Sequence, residues 1–390
     1  MLMALKLARK GGVHSSARAL GGAVLVAGGK PVGYGHTSGI ESRPAALVAL
    51  QEGARAEPDA TLYTNIEPCL DCEQPLEFLS QFLKLAPRRI VIGVRSPTGS
   101  DASSQILSRL TSSGITIETG VCEDECLQVN EVYYKYRRTR IPFVTVKFAT
   151  SLDGRIATSS GDSQWISSPA SLRFAHRLRR EHDAVLVGIG TVLADDPQLT
   201  VRLVKGPSPV RIVVDSSLRI PLTARVLLDC QTQHTIIATT ERADTSRVSA
   251  LERLGAEVLV LPRPQHIGLP VDSTGPQTGP GCEQPHRYGV DLSRLLAALG
   301  DRQIASLLVE GGSRITTSLL ASRSVERIVA VIAPKIIGSG VDAIGDLGIK
   351  QLKDAITFSS VRTSKVGRDI IFDGRICLTP GVCLAAQDRT

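Results

Sequence analysis

Aromatic side chains are scarce in this 390-residue chain: Phe, Tyr and Trp make up 4%, with a single tryptophan. Stacking platforms for single-stranded nucleic acid would have to come from very few residues, which disfavours that function. Long apolar runs are missing too; each is broken by a charge or a glycine before a bilayer is crossed. Cysteine is sparse, eight residues in all, far from a disulfide-stapled scaffold, so the thiols are read as reduced and the protein as cytoplasmic. No acid precedes Glu41, whereas Lys6, Arg9, Lys10, Ser15, Ser16 and Arg18 do, a composition shared with organelle transit peptides. Leu2, Leu5, Leu7 and Ala8 nevertheless recur at helical spacing just ahead of the apolar stretch 23–27, so an amphipathic first helix is preferred. A complete Gly-x-Gly-x-x-Gly is also absent, since Gly188-x-Gly190 lacks its third glycine, and an ordinary dinucleotide-binding dehydrogenase is disfavoured.

What the chain does contain is ordinary for a globular protein, with 42% hydrophobic and 21% charged residues. Its length favours two domains. The formal net charge of +7 is dispersed and not gathered in a block, which suits a small anionic ligand. Strands are expected at 22–26, 61–65 and 89–94, alternating with helices at 45–54, 75–85 and 101–113. A charged helix over 123–136 ends in the basic run Lys135, Arg137, Arg138 and Arg140. That run reads as a solvated linker ahead of Pro142 in preference to a phosphate-binding stripe. Further strands are expected at 143–148, 184–188, 210–215, 235–239, 257–261, 306–309, 327–332 and 370–372, with helices at 169–180, 292–299 and 313–321. The stretch 262–288 reads as an exposed insertion and 380–390 as a tail. Two α/β domains result, 1–140 and 141–379.

Chemistry-bearing patches gather in the second. The strand with Lys147 runs into Ser151-Leu152-Asp153-Gly154-Arg155, followed by Gly161-Asp162-Ser163-Gln164-Trp165. Later come Gly188-Ile189-Gly190-Thr191, leading to Asp195-Asp196-Pro197, and Val309-Glu310-Gly311-Gly312-Ser313. Each is a strand-to-turn transition, where an α/β sheet presents polar groups to a ligand. In the last, an acid, two glycines and a helix start suit a phosphate or diphosphate as well as they suit a plain turn.

In this order, the patches resemble the reductase domain of the riboflavin-biosynthesis deaminase–reductase family over essentially all of 141–379. The resemblance implies a dihydrofolate-reductase-like α/β fold, NADPH as cofactor, and reduction of the ribosyl group of 5-amino-6-(5-phosphoribosylamino)uracil to ribityl. It assigns Ala149, Trp165, Thr191, Asp195 and Ser216 to the NADPH shell, with Gly312, Ser313, Arg314, Ile315, Thr316, Thr317 and Ser318. Ser163, Arg179, Leu199, Arg202 and Glu310 fall in the substrate shell, and Lys147 where the family has a substrate-facing lysine. Hydride delivery to C1 of the opened sugar raises negative charge on the neighbouring heteroatom, which a cation or proton donor such as Lys147 stabilises. A simple phosphate or surface cation is the alternative for it. Arg179 and Arg202 offer two forks for the 5′-phosphate, or exposed salt bridges. Glu310 is an acceptor for pyrimidine N–H groups, or a partner for a lysine. Lys147 and Glu310 are the expected catalytic pair, and His176 is not read as catalytic.

The string Ala60-Thr61-Leu62-Tyr63-Thr64-Asn65-Ile66-Glu67-Pro68-Cys69 resembles the same family's cytidine-deaminase-like α/β/α domain. A zinc deaminase takes one metal ligand and its proton shuttle from His-x-Glu and its thiolates from a Pro-Cys element. Here the family's His-Ala-Glu falls on Pro44-Ala45-Ala46, its substrate asparagine near Arg18, and its second cysteine on Phe78. Cys69 and Cys72 are the residual metal candidates, with His36 placed ahead of the ligand-bearing helix. Losing proton transfer alone removes a factor of about 10²–10⁴. The deaminase is therefore read as vestigial and zinc is not expected, although a structural zinc on Cys69, Cys72, Cys122 and Cys126 is a sharper alternative. A homodimer without nucleic-acid or membrane partners is the expected state. Two rivals stand: a bifunctional deaminase–reductase with a working first domain, and a noncatalytic nucleotide-binding scaffold.

Overall fold

In the computed structural model, which describes residues 1–11, 18–37, 43–53, 59–68, 75–85, 87–97, 101–263 and 289–377, the chain parts into two units, Met1–Ile141 and Pro142–Thr390. The first opens with α1 (Leu2–Lys10) and the hairpin of β1 (Gly22–Ala27) and β2 (Lys30–His36). It continues through α2 (Ala45–Glu52), β3 (Thr61–Ile66), α3 (Pro75–Lys84), β4 (Arg89–Val94) and α4 (Asp101–Ser112). It ends in β5 (Thr116–Thr119), α5 (Glu123–Val129) and α6 (Glu131–Thr139). Sheet order is β2-β1-β3-β4-β5, antiparallel from β2 to β3 and parallel from β3 to β5. Strand β2 is absent from the sequence expectation; its proline and two glycines, Gly33 and Gly35, are residues that strands generally lack. Glycine is needed there because α2 lies directly on the strand: a Cβ at Gly35 would stand 1.9 Å from the Ala45 carbonyl oxygen. The single helix expected over 123–136 is broken at Asn130. Its side chain is drawn to the Leu20 main chain, accepting the N–H at 2.7 Å and donating to the carbonyl at 3.1 Å.

The second unit runs β6 (Phe143–Thr150), β7 (Arg155–Thr158), α7 (Pro169–Arg180), β8 (Ala184–Gly188), α8 (Ile189–Asp195) and β9 (Val210–Val214). Then follow β10 (Thr235–Thr240), α9 (Thr245–Arg253), β11 (Glu257–Leu261), α10 (Leu292–Asp301), β12 (Ser306–Val309) and α11 (Ser313–Ala321). Last come β13 (Arg327–Ile332), β14 (Gly340–Asp342), β15 (Phe358–Val366) and β16 (Asp369–Ile376). The main sheet has the order β11-β10-β9-β8-β12-β6-β13-β16-β15, parallel from β11 to β13 and antiparallel beyond, while β7 and β14 form a separate ribbon. Its central strands are apolar on both faces, as parallel strands covered by helices require. Val185, Val187, Val213, Ile237, Leu308, Val329 and Val331 are buried in one cluster, each side chain contributing about 1.5–3 kcal/mol. From β8 the chain steps outward to β9, β10 and β11, then returns to insert β12 between β8 and β6. That reversal marks the switch point at which open α/β sheets take their ligands.

Both units are α/β, as the alternating signals imply. The expected insertion from residue 264 onward and the tail lie outside the described residues. One thiol departs from the reduced state expected: Cys377 is disulfide-bonded, while Cys122, Cys126 and Cys230 are free. Among the described residues no helix is long and apolar enough to cross a membrane.

Candidate active site

Strand register delivers the central pair. Val309 of β12 lies opposite Val146 of β6 and Leu186 of β8, so the next residues, Glu310 and Lys147, reach the carboxyl edge side by side. The Glu310 N–H donates to the Leu186 carbonyl at 3.0 Å. Above them runs α7, which starts at Ser168-Pro169, with proline suited to the first helical position. Asp369, just ahead of the apolar part of β16, reaches that helix start and accepts the Ser168 N–H at 2.7 Å and the Ser171 hydroxyl at 2.6 Å. The last turn carries Arg177, Arg179 and Arg180, cations that complement the helix dipole.

Arg179 closes on Glu310 as a fork: Nε donates to Oε1 at 2.7 Å and Nη2 to Oε2 at 2.8 Å, while Nη1 donates to the Thr200 carbonyl at 3.2 Å. The two side chains are 12% and 8% exposed. Burial alone would raise the Glu310 carboxyl, but the charge and hydrogen bonds of Arg179, with Lys147 and His176 behind them, hold it below the usual carboxylate range. Burial likewise depresses the Lys147 ammonium; Glu310 opposes that shift and Arg179 adds to it. Of the two arginines expected to offer forks to a phosphate or to form salt bridges, Arg179 pairs with Glu310 and Arg202 is the exposed cation. Arg202 contacts the Gln198 side-chain carbonyl, and its basicity is lowered by partial burial, then by Arg179 and Arg225. Leu199 presents only its main chain to this space, because its side chain is buried in the core and its φ of 57° is left-handed.

On the neighbouring side, Gly311 packs backbone against backbone; a Cβ there would stand 2.8 Å from both Gly188 N and Val187 Cα. Gly312 precedes α11 without a side-chain cap, and a Cβ on it would meet nothing nearer than the Thr191 hydroxyl at 3.9 Å. An open shelf over unpaired helical N–H groups results. Of the loop residues assigned to the cofactor, Arg314 is exposed and Ser313 and Ser318 are half-buried. Thr316 and Thr317 are buried, their hydroxyls turned to the Gly311 and Ser313 carbonyls at 3.3 and 2.7 Å. Ile315 reaches back over Gly188. Ser163 and Gln164 gather at Asp195 at 3.5 and 3.4 Å. Trp165 is 64% exposed, with its carbonyl accepting from Lys335 Nζ at 2.6 Å. Ala149 packs partly on the core, and the Ser216 carbonyl accepts the Thr240 hydroxyl at 2.8 Å. Asp369 escaped sequence reasoning, because no local pattern ties a hairpin acid to a helix start 201 residues away.

The first unit holds core at the positions where the resemblance puts a deaminase's ligands. Pro44 is the N-cap of α2, Ala45 and Ala46 are buried, and Phe78 packs in the core with its ring 5.3 Å from that of Phe82. Cys69 and Cys72 lie outside the described residues. The Cys126 thiol is pushed up to about 12, by burial first and then by Cys122 and Glu125, so it is a poor thiolate ligand. Among the described residues no group of three His, Cys, Asp or Glu is placed to hold a metal. Installing Pro44→His with Ala46→Glu is expected to release no ammonia and to lower the melting temperature, since a carboxylate would enter packed core. Calorimetry with an ammonia assay checks both.

Sheet order, switch point and the charged cluster at the carboxyl edge define an α/β enzyme domain. The sequence pattern described as the RibD C-terminal domain matches residues 142–372, and the chain belongs to that family. It is similar to the riboflavin biosynthesis protein RibD of Aquifex aeolicus, 34% identical over 372 residues, or 95% of this chain and 96% of that protein. The RibD of Actinobacillus pleuropneumoniae is 32% identical over 375 residues, 96% and 93% of the two chains. Among solved structures, a Thermotoga maritima diaminohydroxyphosphoribosylaminopyrimidine deaminase/5-amino-6-(5-phosphoribosylamino)uracil reductase gives a TM-score of 0.70 at 27% identity, covering 96% of this chain and 97% of that one.

Proposed function

We infer that the chain is a reductase of riboflavin biosynthesis that converts the ribosyl group of 5-amino-6-(5-phosphoribosylamino)uracil to ribityl at the expense of NADPH. Family membership and the names of the relatives support the pathway and the reaction class. The observation that carries the substrate end is the cluster of Lys147, Glu310 and Arg179. Withdrawing the Arg179 and Glu310 charges from water beside a half-buried lysine is unfavourable unless they are paired, and a noncatalytic scaffold has no use for the arrangement.

The residues present fit the nicotinamide coenzyme. The shelf left by Gly312 and Gly190 is open where side chains would close it, and the uncapped start of α11 offers N–H donors to a diphosphate. When bound, NADPH supplies a hydride. The protein's own groups do the rest. Glu310, its plane fixed by Arg179, accepts pyrimidine N–H groups on its remaining lone pairs. Arg202 meets the 5′-phosphate. Lys147 holds a proton at Nζ and delivers it to the heteroatom on which charge develops as C1 is reduced, giving NADP⁺ and the saturated C1 as products. Residues 141–379 form the reductase domain in this reading, and 1–140 a deaminase-like domain without its shuttle. The enzyme is taken as a cytoplasmic homodimer.

The bifunctional reading draws on the name of the Thermotoga relative. Against it stand Pro44 and Ala46 at the positions of the ligand and the shuttle. Purified protein given NADPH and the deaminated uracil substrate is expected to lose the nicotinamide absorbance; an unchanged trace overturns the reductase. Gly312→Val is expected to weaken NADPH binding by about tenfold, roughly 1.4 kcal/mol, by blocking the shelf, with the substrate KM unmoved. Calorimetric titration with NADPH measures the first quantity.

A further inference from the structure

The mechanism above leaves one buried titratable group of the cluster unused. His176 is 5% exposed and lies three residues before Arg179, on the same face of α7. Its Nδ1 accepts the main-chain N–H of Arg202 at 2.9 Å. A main-chain N–H can only donate, so Nδ1 is bare, and in the neutral ring the proton sits on Nε2. The charged groups around the ring are Arg179 on its own helix, Arg202 on the facing segment and Glu310 beyond β12. Burial, followed by the two arginines, lowers the ring's pKa to about 4 against the pull of Glu310, so it remains an acceptor at neutral pH.

The facing segment is suspended from a few such bonds. Arg211 Nη1 donates to the Gln198 carbonyl at a long 3.4 Å, Arg179 Nη1 to the Thr200 carbonyl at 3.2 Å, and the Val201 N–H to the Ser208 hydroxyl at 2.9 Å. Leu199, in its left-handed conformation, anchors the segment in the core. The bond to His176 is the only one of these made at the residue whose guanidinium stays exposed. We propose that His176 is a positioning residue: by accepting the Arg202 N–H at Nδ1 it fixes the 199–202 segment and aims the Arg202 side chain at the substrate's phosphate. The proposal rests on the substrate-site reading above.

Three substitutions separate this role from simple packing. Asparagine puts an acceptor oxygen near the Nδ1 position, glutamine puts its amide near Nε2, and phenylalanine fills the volume without an acceptor. His176→Phe is expected to raise the substrate KM about tenfold, the loss of roughly 1.4 kcal/mol that one hydrogen bond supplies. Turnover is expected to change little and the NADPH KM not at all. His176→Asn is expected to stay near wild type, and His176→Gln to behave like Phe. A residue that merely fills space gives the reverse order, with Phe tolerated and Asn impaired, and that result overturns the proposal. In a cycle with Arg202→Ala the Phe penalty should vanish, whereas additive penalties count against action through Arg202. Should wild-type protein fail to oxidise NADPH, the functional reading falls and the substrate part of the proposal with it, while the imidazole ¹⁵N spectrum still decides whether His176 holds the 199–202 segment through Nδ1. With the His176 signals assigned by their loss in His176→Asn, a neutral Nε2–H ring at pH 6 supports it. A protonated or Nδ1–H ring refutes it.

Discussion

Lys147→Met is expected to lower kcat by at least about 100-fold, the scale set by removing one preorganised donor from developing charge. It should do so without lowering the melting temperature. Lys147 is half-buried and desolvated, and the carboxylate that would balance it is already chelated by both arms of Arg179, so removing the charge relieves desolvation that no tight pair offsets. A site that sacrifices stability for chemistry behaves in this way. The depressed lysine fixes the sign of the pH dependence. Between its lowered folded value and the unfolded value near 10.4, the unfolded chain binds more protons, so wild-type stability rises with pH there and the methionine variant loses that rise. Denaturant melts across alkaline pH, together with steady-state rates, test both halves. A variant with near-normal kcat, or one that melts much lower, contradicts the role.

Glu310→Ala should damage fold and site together. It strands the Arg179 guanidinium, 12% exposed, with no counter-ion. Breaking such a buried pair from one side typically removes about 3–5 kcal/mol, a fall of roughly 10 °C in a unit of this size. The substrate KM should climb steeply while NADPH still binds. Glu310→Gln keeps the shape and one acceptor, so it should recover much of the stability but little of the substrate affinity. Because Arg179 holds the carboxyl low, the pair's contribution is complete above the unfolded value near 4.3 and is lost only as pH falls through the folded one. Acid titration should therefore show a constant stability difference between wild type and Glu310→Gln above that range, which closes as pH falls below it. Equal KM values for wild type and both variants would remove Glu310 from the site.

Much of the second unit was legible because parallel strands covered on both faces are written as short, unbroken apolar runs. β8, β11, β12 and β13 fall on the expected residues for that reason. β15 was not legible: its Ser, Thr, Arg and Lys side chains belong to an exposed edge strand whose charges discourage further pairing, and they carry no apolar alternation. β2 hid behind glycines that a helix on top of it demands. At the site, the resemblance named Lys147, Arg179 and Glu310, and the strand register brings Lys147 and Glu310 to one edge. That Arg179 and Glu310, 131 residues apart, would bind each other was beyond any local pattern, since only the tertiary fold makes them neighbours. His176, on the same helix as Arg179, was not read as catalytic. Its bond to Arg202 depends on a loop conformation, with Leu199 at positive φ, that residue spacing does not encode.

The central claim is that the later sheet's carboxyl edge delivers a hydride to the first carbon of a phosphorylated sugar while the amino-terminal unit moves no ammonia. The most direct measurement uses NADPH deuterated at the transferable position, supplied with the uracil substrate and, separately, with its undeaminated precursor. The expected result is a ribityl product carrying one deuterium at C1, with no ammonia from the precursor. A product without deuterium, or ammonia released at a rate comparable to coenzyme oxidation, would contradict the account.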